Sequence, residues 1–428
     1  MPDIIKLMPG QVGGAAQVPT SKSLGHRAIL AAALAEGTSQ IDQISYSEDI
    51  VATIDVARQL GAVVEKLSES SLKIQGIAGH SEIKDITTID CHESGSTLRF
   101  VVPILAALER PALFTGRGRL VERPMQVYYD LFDAKNVAYE TTNGLLPLKM
   151  TGSLKGGEFA VDGSISSQFV TGLLMALPLL KEDSKLTVTG RLESRPYVDL
   201  TKQVLAEFGI VIKEEEEAVF LIPGGQTYKP VRYTVEADAS QAAFPICAAT
   251  ICGKEEGVLI ENLPEQTLQG DIVFLDVLKA LGGRFVREEK GLRVYPAKLQ
   301  GNLTMDVSAC PDIVPILAVL GCYNQGEMRI VGAARLRYKE SDRLSAITQE
   351  LRKLGGQIVE EPEGLRIRGG KLSGQNAALE SHNDHRIAMS LAVAMLGAEG
   401  SATLHGANSV QKSWPTFWAD FGNIKENK

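Results

Sequence analysis

Long apolar runs recur along the chain with a period close to 73 residues, and each opens on a small polar or acidic residue. Ser23, Ser96, Ser167, Ser240, Asp312 and Asp384 stand just before runs rich in Ala, Leu, Ile and Val, at steps of 73, 71, 73, 72 and 72. A second series, Gly61, Asn136, Gly209, Gly282, Gly355 and Gly422, is spaced by 75, 73, 73, 73 and 67 residues. Gly and Asn best tolerate the left-handed turn that closes a helix, so this series predicts six helix ends. Two series in step predict a repeat architecture.

Between the repeated helices the pattern changes to alternation. AVVEKLSESSLKIQG, IVIKEEEEAVFLIPG, GRFVREEKGLRVYP and GQIVEEPEGLRIRGG each place alternating apolar residues around a charged turn, and VAYETTNGLLPLKMTG does so around Asn-Gly. These predict five β-hairpins. The sixth repeat has no hairpin of its own. IIKLMPG, near the N-terminus, reads like its second strand, and GAAQVPTSKS like the strand leading into the first helix. Each repeat is then strand–helix–strand–helix–strand–strand, an α/β (α+β) organisation of six βαβαββ units. Three units per domain predict one domain over 20–231 and another built from 1–19 and 232–428. A continuous solenoid would share the period, but solenoid repeats usually run about 20–50 residues.

Composition narrows the function. With 428 residues the chain exceeds one core, and 44% apolar and 22% charged residues are ordinary for a globular protein. A net charge of −8 without any Lys/Arg tract argues against nucleic acid as partner. No apolar run reaches membrane-spanning length, and MPDIIKLMPGQ lacks the basic and apolar regions of a secretory signal. Five cysteines without a Cys-x-x-Cys pair fit reduced thiols in a cytoplasmic chain.

The candidate chemistry gathers at the helix starts. Such a start carries partial positive charge and free N–H groups, so it receives anions and disfavours cations. Yet PTSKSLGHR places Lys22 and Arg27 there, ESGSTLRF places Arg99, and HNDHR places His385 and Arg386. Each points into water or onto an anion; their recurrence at equivalent positions favours a binding site. TGRGRLVERP adds Arg117, Arg119 and Arg123, while RLRYKESDR sets Glu340 and Asp342 among cations. A carboxylate so placed is either a salt-bridge strut or an acid/base group. In VDGSISSQF, Ser166, Ser167 and Gln168 suit a phosphate, a sugar hydroxyl or an ordinary helix cap. Phosphate-loop, dinucleotide, nucleophile-elbow and zinc-protease motifs are absent. His382 and His385 lack an obvious third ligand, so a metal-free, cofactor-free site for a multiply anionic small molecule is expected.

PTSKSLGHR, TGRGRLVERP, VDGSISSQF, LESRPYVDLT, DASQAAFP, YKESDR and HNDHRIAM resemble, in order along the chain, the signatures of the 5-enolpyruvylshikimate-3-phosphate synthase family. The resemblance implies a two-domain inside-out α/β barrel whose halves close on substrates in the interdomain cleft. It implies enolpyruvyl transfer from phosphoenolpyruvate to the 5-hydroxyl of shikimate 3-phosphate, through a tetrahedral intermediate, in aromatic amino-acid synthesis. These small molecules are its expected partners, and a monomer is expected because no exposed apolar stretch stands out in the sequence.

Carried over by motif, Lys22, Ser23, Arg27, Ser166, Ser167, Gln168, Ser194, Tyr197, Asp312 and Lys339 face shikimate 3-phosphate. Lys22, Gly95, Arg119, Gln168, Arg343, Arg386 and Lys412 surround phosphoenolpyruvate. Asp312 and Glu340 act as acid/base carboxylates with help from Lys22. In the family the inhibitor glyphosate takes the phosphoenolpyruvate position, and Gly95 implies that this chain admits it. The chain departs from the family's Asn-Ala-Gly-Thr and Arg-Pro at Glu93-Ser94-Gly95-Ser96 and Arg99-Phe100, and Arg335 stands where Asn is frequent. Enolpyruvyl transfer to a UDP-sugar, and a catalytically silent repeat scaffold, are the competing readings.

Overall fold

The computed structural model describes residues 2–77 and 85–426. The chain forms two compact units, Thr20–Val235 and Met1–Pro19 with Glu236–Lys428. Each closes an apolar core on its own residues.

In the Thr20–Val235 unit, helices α1 (Lys22–Leu34), α3 (Gly95–Ala107) and α5 (Ser167–Ala176) are buried nearly all round. That is what a helix without a polar face must do. Helices α2 (Glu48–Gln59), α4 (Gln126–Lys135) and α6 (Arg195–Glu207) bury one face only. Three four-stranded sheets accompany them. In the second, Thr87–Asp90 runs parallel to Ala112–Thr115 across α3, and the hairpin Tyr139–Thr142 and Leu145–Met150 extends the sheet antiparallel. The third repeats this with Gly157–Asp162, Ser184–Thr189, Val219–Ile222 and Lys213–Glu216.

The other unit carries α7 (Ala239–Cys252), α9 (Val314–Cys322) and α11 (His385–Ala394) as buried helices. Helices α8 (Phe274–Ala280), α10 (Arg343–Lys353) and α12 (Phe417–Ile424) are its half-buried ones. Ile4–Leu7 pairs antiparallel with Ala402–His405, in the sheet that also holds Ala377–Glu380. The N-terminal strand thus supplies what the sixth repeat lacks.

Three expectations change. The strand before α1, Gln11–Gln17, does not join the sheet that follows α1; it runs parallel to Gly253–Glu261, beyond α7. Its place beside Thr38–Asp42 is taken by Arg232–Thr234, so the expected break after residue 231 moves to Val235. The leading strands of the first and fourth repeats are exchanged where the chain crosses between units. Gly61, Asn136, Gly209, Gly282 and Gly355 do adopt positive φ, from 54° at Asn136 to 101° at Gly61. Gly422 instead lies inside α12 and closes nothing.

The helix caps also sit earlier than the polar series suggested. Ser21, Ser94, Ser166 and Asp238 accept the free N–H groups of α1, α3, α5 and α7, and Asp384 caps α11. A capping oxygen must reach the N–H two or three residues ahead, so Ser23, Ser96 and Ser240 stand within the first turns. Asp312 lies in a short 3-10 turn, Pro311–Ile313, that leads into α9.

Candidate active site

The starts of α1, α3, α5 and α6 hold the first group of predicted residues. Lys22 on α1 pairs with Asp49 on α2 at 2.6 Å. Arg27 is one turn further on and only 3% exposed. Its Nε donates to Thr201 Oγ1 (2.8 Å), Nη1 to the Ser23 carbonyl (2.6 Å), and Nη2 to Thr171 Oγ1 (3.2 Å) and the Tyr197 carbonyl (3.0 Å). Every partner is a neutral oxygen, and burial lowers its pKa to about 10. Arg27 therefore brings Ser23 and Tyr197 together, next to Ser194, which adopts φ 53° ahead of α6.

Gln168 ties α5 to α3: its Oε1 accepts from Arg99 Nη1 at 2.7 Å and its Nε2 donates to Ser96 Oγ at 2.9 Å. Ser166 caps α5, and Ser167 is buried in its first turn. The departures at α3 are absorbed by packing. Phe100 offers its face to the Arg27 guanidinium, 5.1 Å away, and meets the His26 ring edge-on. Arg99 lies over the Phe169 ring at 4.8 Å.

Two arginines of the TGRGRLVERP cluster separate sharply. Arg119 is exposed on the 3-10 turn Gly118–Glu122. Arg123 is the one that reaches Gly95: its Nη1 lies 2.6 Å from where a Cβ would stand there, with Gln168 Oε1 at 3.7 Å. The Glu93 carboxylate packs 2.6 Å from the corresponding position on Gly118, whose φ of 57° suits a residue without a side chain.

The second group lies in the other unit and is denser in charge. Arg343, 1% exposed at the start of α10, donates to Asp312 Oδ1 (2.8 Å), Glu340 Oε2 (2.7 Å) and Asp384 Oδ2 (2.8 Å). Arg386 lies 3.3 Å from Asp312 Oδ2, and it donates to the Asp312 carbonyl and to Ser240 Oγ. Lys339 stands 3.7 Å from Asp312. Lys412 donates to the Asn383 carbonyl at 2.9 Å, on the loop that starts α11.

These fields act on each other. Burial alone would raise the Asp312 pKa, but Arg386, Lys339 and Arg343 together hold it well below the usual carboxylate range. Burial lowers Lys339 to about 8, against the pull of Asp312. Burial would also lower Arg343, yet Asp384, Glu340 and Asp312 overcome that and raise it. A carboxylate wedged among cations that an anionic ligand can recruit is suited to proton transfer. Among the described residues no cluster of His, Cys, Asp and Glu has a metal-binding arrangement.

A family model described as EPSP synthase (3-phosphoshikimate 1-carboxyvinyltransferase) matches residues 8–421. The chain belongs to the EPSP synthase family. It is 42% identical to a 3-phosphoshikimate 1-carboxyvinyltransferase of Clostridium beijerinckii over 98% of this chain and 97% of that one. The corresponding Clostridium acetobutylicum protein is 45% identical at the same coverage. The solved EPSP synthase of Acinetobacter baumannii superposes with a TM-score of 0.82 at 27% identity, covering 99% of this chain and 98% of that one.

Sequence reasoning passed over several residues on which these groups depend. Asp49, Thr171 and Thr201 anchor Lys22 and Arg27, and Asp384 holds Arg343. Only Asp384 carried a signal, as a member of the repeated helix-start series. Asp49 opens α2 as an ordinary first-turn acid, and the threonines are interior helix positions.

Proposed function

We infer that this chain transfers the enolpyruvyl group of phosphoenolpyruvate to the 5-hydroxyl of shikimate 3-phosphate, releasing phosphate, as a transferase of aromatic amino-acid synthesis. The observation that carries the reading is Asp312, a carboxylate hydrogen-bonded to a buried arginine and flanked by Arg386 and Lys339. The whole-length family match supports it.

Shikimate 3-phosphate is assigned to Ser23, Arg27, Ser166, Ser167, Gln168, Ser194 and Tyr197, with Asp312 and Lys339 toward its reacting hydroxyl. Phosphoenolpyruvate is assigned to Lys22, Gly95, Arg119, Gln168, Arg343, Arg386 and Lys412, with Arg123 beside Gly95. The reading gives both groups to one reacting pair. When an anionic substrate engages Arg386 and Lys339, their fields at Asp312 weaken and its basicity rises. Asp312 then takes the proton of the 5-hydroxyl as that oxygen adds to C2. Glu340, protonated for this step with help from Lys22, delivers its proton to C3, giving the tetrahedral intermediate. Glu340 then takes a C3 proton back as phosphate departs, restoring the double bond. Each placed acid or base of this kind contributes about 10²–10⁴-fold.

We assign the chain to the cytoplasm, with small molecules as its partners. Cys91, Cys247, Cys310 and Cys322 are buried thiols, and burial raises the pKa of each. No described helix is long and apolar enough to cross a membrane. Phosphate release from phosphoenolpyruvate should require shikimate 3-phosphate. Release only when UDP-N-acetylglucosamine replaces it would overturn the reading.

A further inference from the structure

The loop 381–386 organises three cations at once. Asp384 receives Arg343, the Asn383 carbonyl receives Lys412, and Arg386 itself opens α11. Its backbone is unusual, because His382 and Asn383 both adopt φ 54°. Two consecutive left-handed residues without glycine cost free energy and persist only where surrounding contacts hold them.

One contact is visible in the Asp384–Arg343 pair. A second lies seven residues along the same helix, on the same face. Glu350 of α10 is 1% exposed and accepts four hydrogen bonds. Lys353 Nζ donates to both its oxygens at 2.9 and 2.8 Å, the Glu380 amide to Oε2 at 3.0 Å, and His382 Nε2 to Oε1 at 2.9 Å. These bonds to the ionised form outweigh burial and lower its pKa. Glu350 is far along α10 from the Asp312 cluster and has no part in the chemistry described above. A buried carboxylate is costly unless fully bonded, and this one spends two of its four bonds on the segment leading into the loop.

We propose that Glu350 is a positioning residue: with His382 it clasps the 381–386 loop to α10, and so sets where Arg386 and Lys412 present their charges to phosphoenolpyruvate. The clasp rests on the assignment of those two cations to that substrate. Helix α10 then grips the loop at two points, by Arg343 on Asp384 and by Glu350 on His382 and the Glu380 amide. Release of the second grip leaves the cations present but displaced.

The test is steady-state kinetics on the full chain, with Glu350→Gln, His382→Asn and the double variant. Glu350→Gln keeps the volume but loses the charge. His382→Asn keeps a residue that accepts left-handed φ but cannot reach Glu350. The phosphoenolpyruvate KM should rise roughly tenfold in Glu350→Gln, more than kcat falls, since a displacement near 1 Å can cost up to about 100-fold. Calorimetric affinity for shikimate 3-phosphate should stay within about twofold. The double variant should lose no more than Glu350→Gln alone, because both changes release one clasp. If Glu350→Gln does not fold, the half-exposed His382→Asn decides by the same KM shift. An unchanged phosphoenolpyruvate KM, equal loss of both substrates, or additive losses would overturn the clasp. A wild-type chain inert toward the substrate pair would overturn the functional reading with it.

Discussion

Arg27 and Arg343 are both buried arginines near the start of a repeat helix, yet their surroundings are opposite. Arg27 is satisfied only by neutral oxygens, and burial depresses its pKa to about 10. Arg343 meets Asp312, Glu340 and Asp384, which raise its pKa despite burial. The first is a buried cation whose hydrogen-bond partners are all neutral oxygens, which is the setting the proposed function gives to an anionic ligand. The second is the hub of an ion cluster already compensated by the chain. One repeat plan has therefore produced an arginine held by neutral oxygens in one unit and an arginine held by three carboxylates in the other.

The sharpest way to break this contrast is to remove each arginine in turn. Arg343→Met should destabilise its unit by about 3–5 kcal/mol, the scale for stranding a buried partner charge such as Asp384. Arg27→Met strands no carboxylate, so it should unfold at close to the wild-type denaturant concentration while losing shikimate 3-phosphate affinity. Denaturant melts and calorimetry of both variants decide; equal destabilisation would dissolve the distinction.

Next in size, Asp312→Asn and Glu340→Gln should each lower kcat by about 100-fold or more. Glu340→Gln should retain shikimate 3-phosphate binding, because Glu340 is assigned to the C3 proton of the other substrate. Near-normal turnover in both variants would leave the ion cluster a structural strut.

Gly95→Ala probes the recognition group alone. The new methyl meets the far end of Arg123 at 2.6 Å, a flexible group that can move, rather than backbone. Glyphosate inhibition should weaken about tenfold, the value of ~1.4 kcal/mol, and more than phosphoenolpyruvate KM rises. Equal loss of both would mean that displacement of Arg123, not the methyl itself, sets the effect.

The smallest effect is a pH dependence. Lys339, lowered to about 8 by burial, is charged below that pH and neutral above it in the free protein. The kcat/KM profile should therefore fall on an alkaline limb near pH 8, and Lys339→Arg should move that limb upward. A limb unmoved by the substitution would assign it to another group.

Much of this molecule was legible in the chain itself. The repeat period, the five hairpins and the cations at the helix starts are local patterns, and local patterns survive without knowledge of the fold. The ordered motifs identified the family for the same reason: each is a short run of adjacent residues. What packing decided lies between residues far apart in sequence. The exchange of Gln11–Gln17 for Arg232–Thr234 pairs strands about 240 and about 190 residues apart, and alternation along a strand cannot name its neighbour. Arg119 and Arg123 share a motif and a charge; only the turn between them sends one to solvent and the other to Gly95. Gly422, at a shorter step of 67 residues, sits within a helix rather than at its end. Arg27 and Arg343 look alike as letters, and the oxygens that surround each come from helices which meet only in the folded chain.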